Sequence, residues 1–94
     1  MLPQWIVYIL QSLSSDFIYV GSTRNLPRRF CEHAAGWVQS TKGHRPLKLV
    51  AYVAVETQKQ ARTLERYFKT GSGKAVLRKR ILTDEARSSE RNRS

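Results

Sequence analysis

The sequence predicts an α+β fold in which a small three-stranded antiparallel sheet is flanked by helices, in the order β-β-α-β-α-α. Short runs rich in β-branched and aromatic residues stand at 5–10, 17–22 and 47–56 and are typical of strands. Apolar residues recur at helical spacing after Asn25 and again after Thr57. With 94 residues the chain has one modest core, and packing helices on a small sheet is the natural way to close it.

The first two strands, 5–10 and 17–22, are expected to pair as a hairpin because the stretch between them, 11–16, is rich in turn-forming residues. A helix should follow directly. Asn25 is a good N-cap for this helix, since its side chain can accept a hydrogen bond from a free backbone N–H group. Gly36 is a plausible end for it.

The second half of the chain begins with a predicted loop at 38–46 and a third strand at 47–56. A helix is expected at 57–70, where the first threonine can act as the N-cap. The sequence GSG at 71–73 should break this helix. A shorter basic helix is predicted at 74–82.

The formal net charge of the chain is +10, and it does not come from a basic tail. In residues 84–94 the three arginines are balanced by three acidic residues, so the excess lies in residues 1–83. We expect 1–83 to form one domain and 84–94 to be a disordered tail. A basic folded surface favours polyanions, among which nucleic acid is the most common, although a basic protein without a specific partner is the alternative.

Several classes of protein are excluded or disfavoured by composition. The single cysteine, Cys31, excludes an internal disulfide and a zinc site of the CxxC type. No apolar run approaches the 18 residues of a membrane span, and the first ten residues lack the basic segment and cleavage site of a secretory signal. A reducing, cytoplasmic location is therefore expected.

Each residue of a helix advances about 100° around its axis, which places polar side chains unexpectedly on the apolar face of the first helix. His33 falls on this face and Arg29 at its edge, whereas Arg28 points to the opposite, solvated side. Arg29 could instead form a salt bridge with Glu32, three positions later, and a satisfied, partly buried histidine is the alternative for His33. The apolar face itself should consist of Leu26, Phe30, Ala34 and Trp37.

The second long helix carries an acidic residue, Glu65, inside the apolar stripe formed by Ala61, Leu64 and Phe68. A buried carboxylate costs several kcal/mol unless a cation compensates it, so an arginine or a divalent metal ion should lie nearby. A plain Glu65–Arg29 ion pair is the alternative without chemistry. One flank of the same helix presents cations suited to phosphate contacts: Lys59, Arg62, Arg66 and Lys69.

Taken in order, Tyr8, Tyr19, Gly21, Arg29, His33 and Glu65 resemble the signature of the GIY-YIG nuclease superfamily. The sequence VYI at 7–9 looks like its first motif and YVG at 19–21 like its second. The resemblance covers roughly residues 5–82. It is closest to small stand-alone members, which are similar to the amino-terminal nuclease domain of an excinuclease.

This resemblance implies a metal-dependent endonuclease that hydrolyses phosphodiester bonds in DNA. It assigns Tyr8 to activation of water, Tyr19 to placement of water or phosphate, Arg29 to charge stabilisation, His33 to a share of proton transfer, and Glu65 to binding Mg²⁺ or Mn²⁺. Nearby cations should lower the pKa of Tyr8. Gly21 is expected at the turn from strand to helix, where the backbone can approach a phosphate. The expected nucleic-acid-binding residues are Gly21, Arg28, Lys59, Arg62, Arg66, Lys69 and Lys74.

Such an enzyme would act in the cytoplasm at the nucleoid, on particular DNA structures or lesions during repair or recombination. The alternative function is a non-catalytic DNA- or RNA-binding module on the same fold. A role in RNA processing is also open, because nothing in the sequence distinguishes DNA from RNA. Single-strand binders usually present several aromatic residues on a sheet face, and Tyr8, Tyr19 and Tyr52 could do so here.

Overall fold

A computed structural model describes residues 2–82 and contains a three-stranded sheet with helices on both of its faces. The tail predicted at 84–94 lies outside the described residues. No helix among these residues is both long and apolar enough to cross a membrane. The strands are β1 (Trp5–Ser12), β2 (Ile18–Thr23) and β3 (Leu47–Val55). The helices are α1 (Leu26–Ala35), α2 (Gln39–Lys42), α3 (Gln58–Phe68) and α4 (Gly71–Val76), and α4 is followed by a π-helical turn at Leu77–Ile81.

The strand order is β2-β1-β3, and β1 pairs antiparallel with both neighbours. The predicted fold class is therefore confirmed, including the hairpin of the first two strands. Tyr8 in β1 lies opposite Gly21 in β2 and Tyr52 in β3. Since successive residues of a strand point to opposite faces, this register determines which side chains share a face.

The sheet has a separate apolar cluster on each face. On one face, Val7 and Ile9 of β1 pack with residues of α3 and of the π-helical turn, namely Ala61, Phe68 and Leu77. On the other face, Tyr8 and Leu10 pack with Leu26 of α1 and Leu47 of β3. The alternation of β1 thus places Tyr8 under α1, on the face opposite to α3.

The predicted ends of α1 and the start of α3 are confirmed. The side chain of Asn25 accepts a hydrogen bond from the backbone N–H of Arg28, and Gly36 ends α1 in the left-handed conformation, with φ 85°. Thr57 caps α3 through the N–H of Gln60, whose side chain bonds back to the N–H of Thr57.

Two predictions about the connections are wrong. The segment 38–46 is not all loop, because it contains α2. The GSG sequence does not break a helix but begins α4, whose N-cap is Thr70. A Cβ atom on Gly73 would collide with the backbone of Tyr67 and Phe68, so this glycine lets α4 pack closely against the end of α3.

The predicted core face of α1 is also partly wrong. Trp37 is 78% exposed and Ala34 is exposed, whereas Leu26 and His33 are buried and Phe30 is half-buried. The helix ends at Ala35, and the left-handed residue that follows takes Trp37 out of the helical phase. Helical spacing therefore does not describe the position of this tryptophan.

Candidate active site

A cluster of aromatic rings from β1, β2 and α1 lies between the sheet and α1. The ring centroids of Tyr8 and Tyr19 are 6.1 Å apart, and His33 lies 5.6 Å from the first ring and 5.0 Å from the second. Gly21 completes the cluster, because an added Cβ would lie 2.7 Å from Tyr8 Oη and 2.8 Å from Tyr19 Cε2. Gly21 thus lies inside β2 rather than at the expected turn, and its missing side chain makes room for the two rings.

Both nitrogens of the His33 imidazole are hydrogen-bonded within this cluster. Nε2 lies 2.9 Å from Tyr8 Oη, and Nδ1 lies 2.7 Å from Thr41 Oγ1 in α2. His33 and Thr41 have no exposed surface and Tyr8 is 1% exposed. The three side chains form a buried polar chain that runs from α2 through α1 to the centre of the sheet.

Arg29 lies one helical turn before His33 and borders the same cluster. Its Nη1 donates to Glu32 Oε1 at 2.9 Å, which confirms the ion pair considered from sequence and leaves the Arg29–Glu65 pair unformed. The Arg29 side chain is 37% exposed and that of Arg28 is 75% exposed, as helical geometry predicted. Arg29 therefore joins the tyrosines, whereas Arg28 faces solvent.

The electrostatics of the cluster keep Tyr8 and His33 neutral at pH 7. Burial raises the pKa of Tyr8 to about 12, and the neighbouring Arg29 guanidinium offsets only part of this effect. The expectation that cations would lower this pKa below its usual value is wrong, because burial is the larger effect. Burial and the charge of Arg29 hold the pKa of His33 below its usual range. The hydrogen bond to Glu32 is the largest cause that raises the pKa of Arg29, and the one to Tyr8 is the second. The guanidinium therefore stays charged.

Glu65 is half-buried, with 23% of its side chain exposed, and protein groups already compensate its charge. Ser22 Oγ donates to one carboxylate oxygen at 2.9 Å, and Lys69 Nζ donates to the other at 3.0 Å. The expectation was an arginine or a divalent metal ion, and the protein groups that compensate the charge are a lysine and a serine hydroxyl instead of an arginine. The rest of the predicted stripe is correct, since Ala61 and Phe68 are buried.

Glu65 and the tyrosine cluster lie on opposite faces of the sheet, and each contacts one of two adjacent residues of β2. Gly21 faces Tyr8, and the next residue, Ser22, faces α3 and bonds to Glu65. Their strand, β2, is an edge strand, so a ligand along its outer side has access to both faces. A groove of about 600 Å³ follows this edge; we call it the β2 groove, and its lining includes Ile18, Tyr19, Val20, Lys69, Lys74 and Arg78.

The predicted nucleic-acid-binding cations fall into three places. Arg62, Arg66 and Lys69 surround Glu65 in a second groove, of about 610 Å³, and Lys59 extends this row along α3. Lys74 lies in the β2 groove, which Lys69 also lines. Arg28 lies apart from both, on α1. The structure thus brings Glu65 together with three of the six predicted cations.

The single carboxylate of Glu65 suits a divalent metal ion that keeps several of its waters rather than a protein-enclosed metal. Among the described residues no group of three or more His, Cys, Asp or Glu side chains could hold a metal ion. Mg²⁺ is often bound by one or two carboxylates and keeps several waters, so a half-buried glutamate beside an open groove is chemically suitable. Lys69 would have to release one Glu65 oxygen to such an ion.

Two residues that hydrogen-bond to candidate catalytic side chains were not predicted from the sequence. Ser22 directly follows Gly21, and strand alternation could have placed it on the Glu65 side. Thr41 gave no signal, because it lies in a segment without periodicity that was predicted to be a loop. Its role depends on how α2 packs against α1.

The fold and the site together define a nuclease-type domain, in which a tyrosine pair lies under a helix that carries a histidine and an arginine, and a glutamate occupies the next long helix. Residues 4–80 match the GIY-YIG catalytic domain, and the chain belongs to this family. The resemblance seen in the sequence is thereby confirmed, and with it membership of a nuclease family.

Curated relatives with the name UPF0213 protein support the description as a small member. The chain is 34% identical over 59 residues to one from Cupriavidus pinatubonensis and 42% identical over 48 residues to one from Photorhabdus laumondii. These matches cover 62% and 50% of this chain, and 64% and 45% of those proteins. The chain therefore spans less than two thirds of the length of these relatives. A solution structure of the UPF0213 protein from Bacillus halodurans is 32% identical, with 78% of this chain and 80% of that chain covered and a TM-score of 0.48.

Proposed function

We propose that the protein is a metal-dependent endonuclease that cleaves phosphodiester bonds in DNA, with Tyr8, Tyr19, Arg29, His33 and Glu65 as its catalytic residues. The observation that carries this proposal is the buried Tyr8–His33 hydrogen bond of 2.9 Å, with Arg29 beside it. A neutral phenol joined to a neutral imidazole is a proton-transfer pair, and a guanidinium next to it can stabilise developing negative charge.

Tyr8 cannot be a base as a free phenolate, because its pKa of about 12 keeps it protonated at pH 7. The proton must therefore move in a relay. Tyr8 gives its hydroxyl proton to His33 Nε2 as its oxygen takes a proton from the attacking water. The water oxygen then bonds to phosphorus, the bond from phosphorus to the leaving oxygen breaks, and the leaving oxygen takes a proton from solvent. His33 suits this role because it is neutral and able to accept a proton.

The remaining residues would bind and stabilise the phosphate. Tyr19 is half-buried and lines the β2 groove, so it borders the approach from solvent and can place the water or a phosphate oxygen. The Arg29 guanidinium is permanently charged and can donate hydrogen bonds to the equatorial phosphate oxygens. Glu65 would hold Mg²⁺ or Mn²⁺, and the bound ion would supply charge stabilisation in the transition state.

DNA would lie along the β2 edge and the row of cations on α3. Lys69 and Lys74 line the β2 groove, and Lys59, Arg62 and Arg66 continue the positive surface. Lysine and arginine side chains in such a row would contact phosphates, and phosphate contacts carry no sequence information directly. The substrates that we propose are accordingly particular DNA structures or lesions rather than a sequence, in repair or recombination at the nucleoid.

A nicking assay on supercoiled plasmid tests the proposal. Wild-type protein should nick with Mg²⁺ and stop when EDTA is added. Glu65→Gln and Arg29→Ala should each lower the rate at least 100-fold while DNA binding changes little, because each removes charge stabilisation of the transition state. Glu56→Gln is the matched control, since Glu56 is exposed and lies at the start of the turn after β3.

The preferred substrate is identified by comparing cleavage rates on a panel of flaps, forks, hairpins, single strands and RNA under the same conditions. Faster cleavage of branched DNA than of duplex would support a structure-directed enzyme. If no substrate is cleaved by any variant while DNA binding is intact, the endonuclease is refuted and the protein is a binding module. Preferred cleavage of RNA would refute DNA as the substrate.

A further inference from the structure

The polar chain at the centre of the molecule ends on a residue to which no role has been given. Thr41 has no exposed surface, and its hydroxyl lies 2.7 Å from His33 Nδ1. A buried hydroxyl is favourable where it has a hydrogen-bond partner, and here the partner is a titratable ring whose other nitrogen contacts Tyr8. The position of Thr41 therefore bears on the protonation of His33.

The backbone of α2 holds Thr41 in place. Its N–H donates to the carbonyl of Val38 at 3.2 Å, and its own carbonyl accepts hydrogen bonds from the N–H groups of Gly43 and His44. On the other side, the Tyr8 and Tyr19 rings pack against the imidazole. The His33 ring is thus restrained both in its plane and at its Nδ1 end.

The direction of the two hydrogen bonds follows from donor and acceptor strength. A neutral imidazole has one N–H donor and one bare nitrogen acceptor. A phenol is a stronger acid than an imidazole N–H group, and the bare imidazole nitrogen is a better acceptor than a phenol oxygen. The Tyr8 hydroxyl therefore donates to Nε2, which leaves the proton of the ring on Nδ1, where it faces Thr41 Oγ1.

We propose that Thr41 is a positioning residue for the reaction, because its hydroxyl accepts the Nδ1–H of His33 and so presents the bare Nε2 to Tyr8. The proposal rests on the proposed function for its catalytic consequence but not for the tautomer itself. Without this acceptor the buried N–H would lack a partner, and the ring would gain by moving its proton to Nε2. Nε2 would then be unable to take the proton of Tyr8.

The tautomer is measured by nitrogen-15 NMR of the imidazole rings, which needs no nuclease activity. The chain has two histidines, so a His44→Asn variant assigns the signals. In wild-type protein at pH 7.5 we expect the His33 proton on Nδ1 and a bare Nε2. Thr41→Ser should keep this pattern, whereas Thr41→Val should lose it. A proton on Nε2 in the wild type would overturn the proposal.

Kinetics on the preferred nucleic acid give the second measurement. Thr41→Val should lower kcat at least tenfold with KM nearly unchanged, and Thr41→Ser should stay within about threefold of wild type. Thr63→Val is the control, because it makes the same change at an exposed position on α3. A Thr41→Val enzyme with wild-type kcat and tautomer would refute the role.

The two hypotheses fail in different ways. If the wild type cleaves nothing, the endonuclease is refuted, and the NMR spectra still decide whether Thr41 fixes the tautomer. If Thr41→Val does not fold, the spectra of the wild type and of Thr41→Ser decide it, since an Nε2 proton in either contradicts the proposal.

Discussion

Replacing Gly21 with alanine tests the packing on which the candidate site depends. The new Cβ would lie 2.7 Å from Tyr8 Oη, 2.8 Å from Tyr8 Cζ and 2.8 Å from Tyr19 Cε2. Such distances are too short for non-bonded atoms, so a ring or the β2 backbone must move. Tyr8 has little freedom, because it is 1% exposed and bonded to His33 at 2.9 Å.

This overpacking should lower the free energy of unfolding by about 1–3 kcal/mol. Roughly 0.4–1 kcal/mol of that loss is offset, because alanine has less conformational entropy than glycine in the unfolded chain. In a domain of this size a loss of 1 kcal/mol lowers Tm by about 4–8 °C. Because Tyr8 would also shift from His33, nicking activity should fall at least tenfold. Urea denaturation, thermal melting and the plasmid assay measure these effects.

The matched control is Gly43→Ala, since nothing lies within 4 Å of its added Cβ and its φ of −80° suits alanine. This variant should be as stable as wild type or slightly more stable. The reasoning is refuted if Gly21→Ala has the stability and activity of Gly43→Ala, because the two tyrosines would then not be packed against β2 as described.

Three further predictions concern Tyr8, the start of α3 and its row of cations. A Tyr8 pKa raised from 10 to about 12 stabilises the fold below pH 10, and this contribution is lost as the pH rises towards 12. Between pH 8 and 11.5 the wild type should therefore lose roughly 2 kcal/mol more unfolding free energy than Tyr8→Phe, and an equal loss in urea titrations would contradict the assignment. Thr57→Ala should cost about 1 kcal/mol in thermal melts because the cap of α3 is lost, and Thr57→Ser should restore most of it. Arg62→Ala and Arg66→Ala should each reduce by about 1 the slope of log binding constant against log salt for DNA, and an unchanged slope would exclude them from phosphate contact.

Much of the fold and part of the site follow from local sequence. The strands, the caps at Asn25 and Thr57 and the end of α1 at Gly36 depend on nearest neighbours, which the chain shows directly. Helical spacing likewise separates Arg28 from Arg29 and turns His33 inward. These predictions hold because the physical causes act within one or two turns.

Other features depend on contacts between residues far apart in sequence. One of the two partners of Glu65 is Ser22, 43 positions away, and one of the two partners of His33 is Thr41, in a short helix without a periodic pattern. Trp37 leaves the core because a left-handed glycine precedes it, and the burial that raises the pKa of Tyr8 exists only in the assembled sheet and helix.

The sequence by itself determined the class of fold, the basic surface and the residue types of the site, since each follows from composition and local periodicity. The tertiary structure decided how these residues are arranged. The alternation of β2 sends Gly21 to the tyrosine face and Ser22 to the Glu65 face, and the packing of α2 on α1 places a hydroxyl on His33. Hydrogen bonds and burial depend on distance in space, which the order of residues along the chain does not specify.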